Sequence, residues 1–169
     1  MIIKISNLGE GQHQFSQTGK IEELGLSEPF FDGYDLEVKL DKAHHQIVLN
    51  SSINLKAHFE CDRCSEEFDR SLNANYEMVY MFTEEPEVSG DEELNIVYLL
   101  PETDKIDISK DLYDFSILSI PMKKLCKEDC KGLCYKCGTN LNEKQCSCNN
   151  EEVDPRWQPL LDLKNKLNN

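Results

Sequence analysis

At 169 residues, with 39% hydrophobic and 30% charged side chains, the chain is long enough for one domain with its own core and too apolar for disorder over most of its length. No stretch reaches the roughly 18 apolar residues of a membrane-spanning helix, and residues 1–15 lack the basic run and apolar stretch of a secretory signal, so the expected location is the cytoplasm. The formal net charge of −14 opposes nucleic acid as a partner for the whole surface, because such contacts draw on Lys and Arg at phosphates; it suits basic proteins, and equally plain solubility.

Residues 1–5 read as a short apolar strand. Over 34–40, Tyr34, Leu36, Val38 and Leu40 fall on one face and Asp35, Glu37 and Lys39 on the other, the pattern of a half-buried strand. Residues 46–58 repeat it with Ile47, Leu49, Ile53, Leu55 and Ala57, with Ser51 interrupting, and 41–45 supplies the turn between them. A third long strand over 67–82 places Phe68, Leu72, Tyr76, Met78, Tyr80 and Phe82 at even positions. Short connections between such strands predict an antiparallel meander. Residues 84–93, with Pro86, Gly90 and a run of acids, read as a loop. Between Glu84 and Asp114 eleven acids face two bases, by default a solvated face and, on the sharper reading, a docking surface for a basic partner.

A further strand over 94–100 closes at Pro101, and Ile106 and Ile108 continue as an extended piece. Ser109 suits a helix N-cap with Asp111 in the first turn. Leu112, Phe115 and Leu118 give that helix a packing face, and Pro121 stops it. The last helix has Asp154 as cap, Pro155 in the first position, and a stripe of Trp157, Leu160, Leu161 and Leu167 in which Trp157 is a packing anchor. The expected class is α+β: an antiparallel β-rich domain, either a meander or a partly open barrel, with two short helices and a cysteine-rich zinc-binding C-terminal module. The divisions are 1–121 for the β-rich domain ending in a helix, 122–150 for the zinc module docked on it, and 151–169 for the C-terminal helix, together forming one folding unit.

Eight cysteines in a reducing compartment call for a metal before disulfides. Zinc takes four sulfur or nitrogen ligands in a tetrahedron, and a C-x-x-C turn points two thiolates at one centre. Cys134, Cys137, Cys146 and Cys148 lie close enough for a hairpin to close one site, with Gly138 easing the turn. Cys61 and Cys64, with Cys126 and Cys130, complete a second, which would clamp the cysteine-rich segment to the sheet. One or two structural Zn2+ ions are expected. Four thiolates also suit iron–sulfur chemistry, and a lone Cys61/Cys64 pair suits a redox dithiol or metal sensor, although it does not open a helix after a strand. Four protein ligands leave no position for an activated water, so the sites are structural.

Little else points to chemistry. His13, His44 and His45 carry no motif, and His58, three residues before Cys61, is at most an alternate zinc ligand. Gly9 and Gly11 lack the rest of a phosphate-binding fingerprint, and no nucleophile elbow or zincin motif is present. The chain is expected not to be an enzyme and to have no small-molecule substrate. From Met122 to Cys148 six lysines outnumber three acids. The plain reading is neutralisation of zinc–thiolate charge; the alternative is phosphate contact by a zinc-knuckle-like rim including Lys123, Lys124, Lys127 and Lys131.

The run Pro121-Met-Lys-Lys-Leu-Cys126-Lys-Glu-Asp-Cys130-Lys-Gly-Leu-Cys134-Tyr-Lys-Cys137-Gly-Thr-Asn-Leu-Asn142 resembles the large ribosomal RNA subunit accumulation protein family, YceD. Phe59-Glu-Cys61-Asp-Arg-Cys64-Ser-Glu-Glu-Phe68 and Asp154-Pro-Arg-Trp157 match its pattern in the same order. The resemblance covers the chain from about Tyr34 onward, and Tyr135 stands where the family often has proline. It implies a non-enzymatic role in large-subunit biogenesis, supporting accumulation of its main rRNA. The partner this implies is a ribosomal protein or a pre-large-subunit particle, with rRNA contact through the lysines as the alternative.

Overall fold

The computed structural model describes residues 1–83, 95–148 and 155–167. Two compact units emerge, one of Met1–Cys61 with Glu66–Cys126, the other of Asp62–Ser65 with Lys127–Asn169.

The first unit is built on two open sheets. Strands β1 (Ile2–Lys4), β2 (Gly11–Lys20), β3 (Phe30–Lys42), β4 (Gln46–Glu60), β5 (Glu67–Phe82), β6 (Ile96–Leu99) and β7 (Lys105–Asp107) are joined by a 3-10 helix (Ile21–Leu24) and followed by helix α1 (Ser109–Leu118). β2-β3-β4-β5-β6 form a five-stranded sheet, and β1 pairs with β7. The sheet is open and does not close into a ring. β2 to β5 run as an antiparallel meander, whereas β6 lies parallel to β5, Val79 against Ile96 through Phe82 against Leu99. An all-antiparallel sheet is therefore corrected at its last strand. A parallel neighbour needs a connection of about a dozen residues or more, which the chain between Phe82 and Ile96 supplies.

Alternation drives the long strands. Tyr34, Leu36, Val38 and Leu40 of β3, Ile47, Leu49, Ile53, Leu55 and Ala57 of β4, and Leu72, Ala74, Tyr76, Met78 and Tyr80 of β5 are all buried on one face. Ser51, which breaks the apolar series, is buried in phase with it. Across β4 and β5 the register runs unbroken from Gln46 against Met81 to Glu60 against Glu67, because a one-residue slip would turn the whole apolar set to water. Ile3, Ile21, Leu24, Ile106, Ile108 and Leu112 complete the core. The Phe115 ring stacks on Tyr76, with centroids 4.4 Å apart and planes 5° off parallel.

Four expectations need correction. α1 begins at Ser109 with Ile108 in the cap position; the side chain that meets its first turn is Asp107, whose Oδ1 accepts from the Ser109 N–H at 3.0 Å and from its hydroxyl at 2.6 Å. Leu118 is 74% exposed. Residues three apart on a helix lag by about 60° per step, so the third member of the expected face has rotated out and Ser116 lies buried instead, its hydroxyl donating to the Leu112 carbonyl at 2.6 Å. β2 and the 3-10 helix are not among the expected elements, since β2 carries one large apolar residue, Phe15. In the second unit a 3-10 turn (Pro155–Trp157) leads into α2 (Gln158–Leu167), and Trp157, expected as a packing anchor, is 58% exposed, as are Leu160 and Leu163 to similar degree. The acidic loop over 84–93, Leu94 and the Asp154 cap lie outside the described residues, as do the side chains of Leu161 and Leu167.

His58 does not join the cysteines. It sits opposite Asp69 on the solvent face of β4 and β5, with Nδ1 2.7 Å from Asp69 Oδ1 and Nε2 3.7 Å from Glu67 Oε2. The Asp69 hydrogen bond foremost raises its pKa above 6.5. A histidine raised on folding adds stability that is fully present below its unfolded pKa and is lost as pH rises through the folded value. An NMR titration is expected to place the His58 midpoint above 6.5, and Asp69→Asn to bring it down; a midpoint unmoved by that change would contradict the pairing.

Candidate metal centres

The first centre begins where β4 ends. Cys61 follows Glu60 directly, and its N–H closes a turn on the Glu66 carbonyl at 2.9 Å. Ser65 takes a left-handed φ of 57° to complete that turn. The turn is also tied within the second unit: Arg63 Nη1 donates to the Cys130 carbonyl at 2.7 Å and the Leu133 N–H to the Arg63 carbonyl at 3.0 Å. Gly132 makes this approach possible, with a φ of +75° and a Cβ that would stand 2.9 Å from the Arg63 oxygen. Cys126 and Cys130 follow α1 in the chain, the Cys130 N–H donating to the Lys127 carbonyl at 3.2 Å. The sulfurs of Cys61, Cys64, Cys126 and Cys130 lie within 4.8 Å of one another; three are buried and Cys126 half-buried. Asn142 Nδ2 donates to the Cys130 sulfur at 3.3 Å, the kind of outer contact that orients a thiolate ligand.

The second centre is a small hairpin. The Cys134 N–H donates to the Thr139 carbonyl and the Gly138 N–H to the Cys134 carbonyl, each at 2.8 Å, and a bridge pairs Leu133 with Asn140. Gly138 supplies the left-handed φ of +72°. Asn142 locks the base, accepting the Lys131 N–H at 2.8 Å while its own N–H donates to Asn140 Oδ1 at 3.0 Å. Cys134, Cys137, Cys146 and Cys148 again bring four sulfurs within 4.8 Å. The eight cysteines thus divide into the two groups that their spacing suggests.

The thiols of the second centre polarise one another. Hydrogen bonds from the Thr139 hydroxyl and N–H lower Cys137 to about 6, and Cys148, hydrogen-bonded to Cys137 and partly buried, is pushed up to about 12. The N–H groups of Cys137 and Lys136 lower Cys134. Cys146 rises: the Cys148 N–H acts against that shift, and its hydrogen bond to Cys134 and burial drive it. Four thiols facing one another within 4.8 Å present the donor set of a cation that displaces their protons. The geometry fits one: a tetrahedral zinc with Zn–S near 2.3 Å sets its sulfurs about 3.8 Å apart, so each cluster needs to contract by about an ångström at most. All donors are sulfur, which suits zinc or iron and not a hard cation. Among the described residues no histidine belongs to either cluster.

The two glycines separate steric from backbone effects. Gly138→Ala meets no atom within 4 Å, so it is expected to cost only the left-handed strain of about 1–2 kcal/mol. Gly132→Ala adds a contact with the Arg63 carbonyl and is expected to be clearly the more destabilising in denaturant titrations. Equal losses would contradict the packing of the Asp62–Ser65 turn. Of the lysines, Lys123, Lys127 and Lys131 are exposed, while Lys124 Nζ stands 5.6 Å above the centre of the Phe59 ring, a cation–π contact.

The profile of one protein family, described as large ribosomal RNA subunit accumulation protein YceD, matches residues 49–164, a span holding all eight cysteines. The chain is 29% identical over 162 residues to the large ribosomal RNA subunit accumulation protein YCED homolog 1, chloroplastic, of Arabidopsis thaliana, covering 80% of this chain and 50% of that protein. The Zea mays protein of the same name is 27% identical over 144 residues, 70% of this chain and 49% of its own length. An uncharacterized protein of Mycobacterium tuberculosis is 23% identical over 129 residues, 76% of this chain and 61% of its own length. The chain therefore spans between half and three-fifths of the curated relatives it matches. No solved structure matches it.

Proposed function

Since the chain belongs to the family of the large ribosomal RNA subunit accumulation protein YceD, we propose that it is a non-enzymatic factor in biogenesis of the large ribosomal subunit. It supports accumulation of that subunit's main rRNA by binding a basic ribosomal protein or a pre-large-subunit particle. The family match over both cysteine clusters carries this reading. Each cluster holds a structural Zn2+, and with four protein thiolates on the ion no position is left for an activated water. Thiols gathered in fours suit a reducing compartment, here the cytoplasm. The net charge of −14 and the acid-rich segment from Glu84 to Asp114 favour a basic protein over bare RNA.

The test is co-sedimentation with pre-large-subunit particles in rising salt. Association is expected to weaken with salt and to fall on charge reversal at Glu84, Glu85, Glu92 and Glu93. Binding that ignores both changes would sink the acidic-face reading. A second reading is favoured by the exposure of Lys123, Lys127 and Lys131: direct rRNA contact along the segment that carries Cys126 and Cys130. It predicts that Glu at Lys123, Lys124, Lys127 and Lys131 abolishes rRNA crosslinking and flattens its salt dependence; unchanged crosslinks would rule it out.

A further inference from the structure

β2 is an edge strand that pairs with β3 through ten consecutive residues, Gly11 against Lys42 to Lys20 against Gly33, with no register shift. Among the described residues no strand pairs with its other side. Ten residues extend roughly 33 Å, a long row of outward N–H and C=O groups. Proteins usually blunt such an edge with proline, a bulge or inward charge. β2 has no proline, no bulge and no acid, and one lysine at its last position. Its core-side residues are only half-buried, and Phe15 among them packs against the core with one flank open.

Charge selects the occupant. The exposed row directly behind the edge has Asp41 opposite Gln12, Glu37 opposite Ser16 and Asp35 opposite Thr18, against Lys39 alone opposite Gln14. Exposed Glu10 precedes the strand, and exposed Glu22 and Glu23 follow it. A second copy would bring the same acids against these. A basic strand would face them with opposite charge on one side and cover Phe15 on the other, because successive side chains alternate faces.

We propose that the β2 edge takes up an extended basic segment of a partner protein as a sixth strand, its residues alternating between Lys or Arg on the solvent face and apolar side chains beside Phe15. Main-chain hydrogen bonds hold such an added strand and the alternate side chains select it. The proposal rests on the reading that the partner is a basic protein, and it locates where that protein binds.

The probe is a capped ten-residue peptide alternating Arg and Val, added to the full chain, with amide hydrogen exchange read by NMR. Every second β2 amide, those facing away from β3, is expected to slow about tenfold or more, while the β3-facing amides, already bonded, stay unchanged. Gln14→Lys with Ser16→Lys, both exposed, is expected to weaken peptide binding about tenfold at low salt, and Gln14→Glu with Ser16→Glu to strengthen it. Peptide binding without protection of alternate β2 amides overturns the proposal, as does no binding. So does protection that grows with protein concentration without peptide, which assigns the edge to a second copy. The peptide is not a ribosomal component, so these outcomes are independent of whether the chain sediments with pre-ribosomal particles.

Discussion

Serine at Cys134 and Cys137 together is expected to lower bound zinc from two ions to one per chain and to unfold the hairpin around that centre. Within the described part of Lys127–Asn169 the buried residues are few, Cys130 and Cys134 being the only buried hydrophobics. Among the described residues of that segment no apolar cluster is buried that could hold the hairpin without a metal. Metal binding contributes about 10–16 kcal/mol of apparent folding free energy in zinc-finger peptides. Cys61→Ser with Cys64→Ser is expected to remove the other ion alone. Native mass spectrometry reads both results, and limited proteolysis within residues 131–148 reads the unfolding. Two ions retained in either double variant, or both lost from one, would contradict two separate four-thiolate centres.

Leu49→Ala is expected to cost about 2–5 kcal/mol, a large part of the roughly 5–15 kcal/mol that holds a domain together. Leu49 is fully buried on the middle strand of the sheet, with Leu40 and Met78 as its partners on either side. Neighbours fixed in unbroken β4–β5 register cannot collapse into the space it leaves. Asn50, the next residue, faces solvent, and Asn50→Ala is expected to stay within about 0.5 kcal/mol. Urea titrations of the two variants compare the faces; similar losses would mean that the alternation does not set which face is buried.

The three central strands are legible because a period of two sustained over seven to sixteen residues has no helical reading, and even Ser51 keeps phase. The cysteine groups are legible because two C-x-x-C turns, a C-x-C and one more pair divide into fours. The features that escape have physical causes. β2 is specified by its pairing with β3 more than by its own polar residues, so Gln12 to Thr18 give no burial signal. The direction of β6 is a property of its connection, invisible in Ile96–Leu99 themselves. Ser109 and Asp107 both carry cap-forming oxygens two residues apart, and the strand before the helix decides that Asp107 is the one turned to the first N–H. Leu118 and Trp157 show the limit of apolar character as a guide to burial: Leu118, at the end of α1, and Trp157, in the 3-10 turn before α2, both remain exposed.

The ratio of large-subunit to small-subunit rRNA, measured after depletion of this protein in its own organism and after complementation, tests the functional reading most directly. A fall in that ratio is predicted, restored by the wild-type chain and not by the chain with Ser at Cys134 and Cys137. A ratio unchanged by depletion would contradict a role in large-subunit rRNA accumulation.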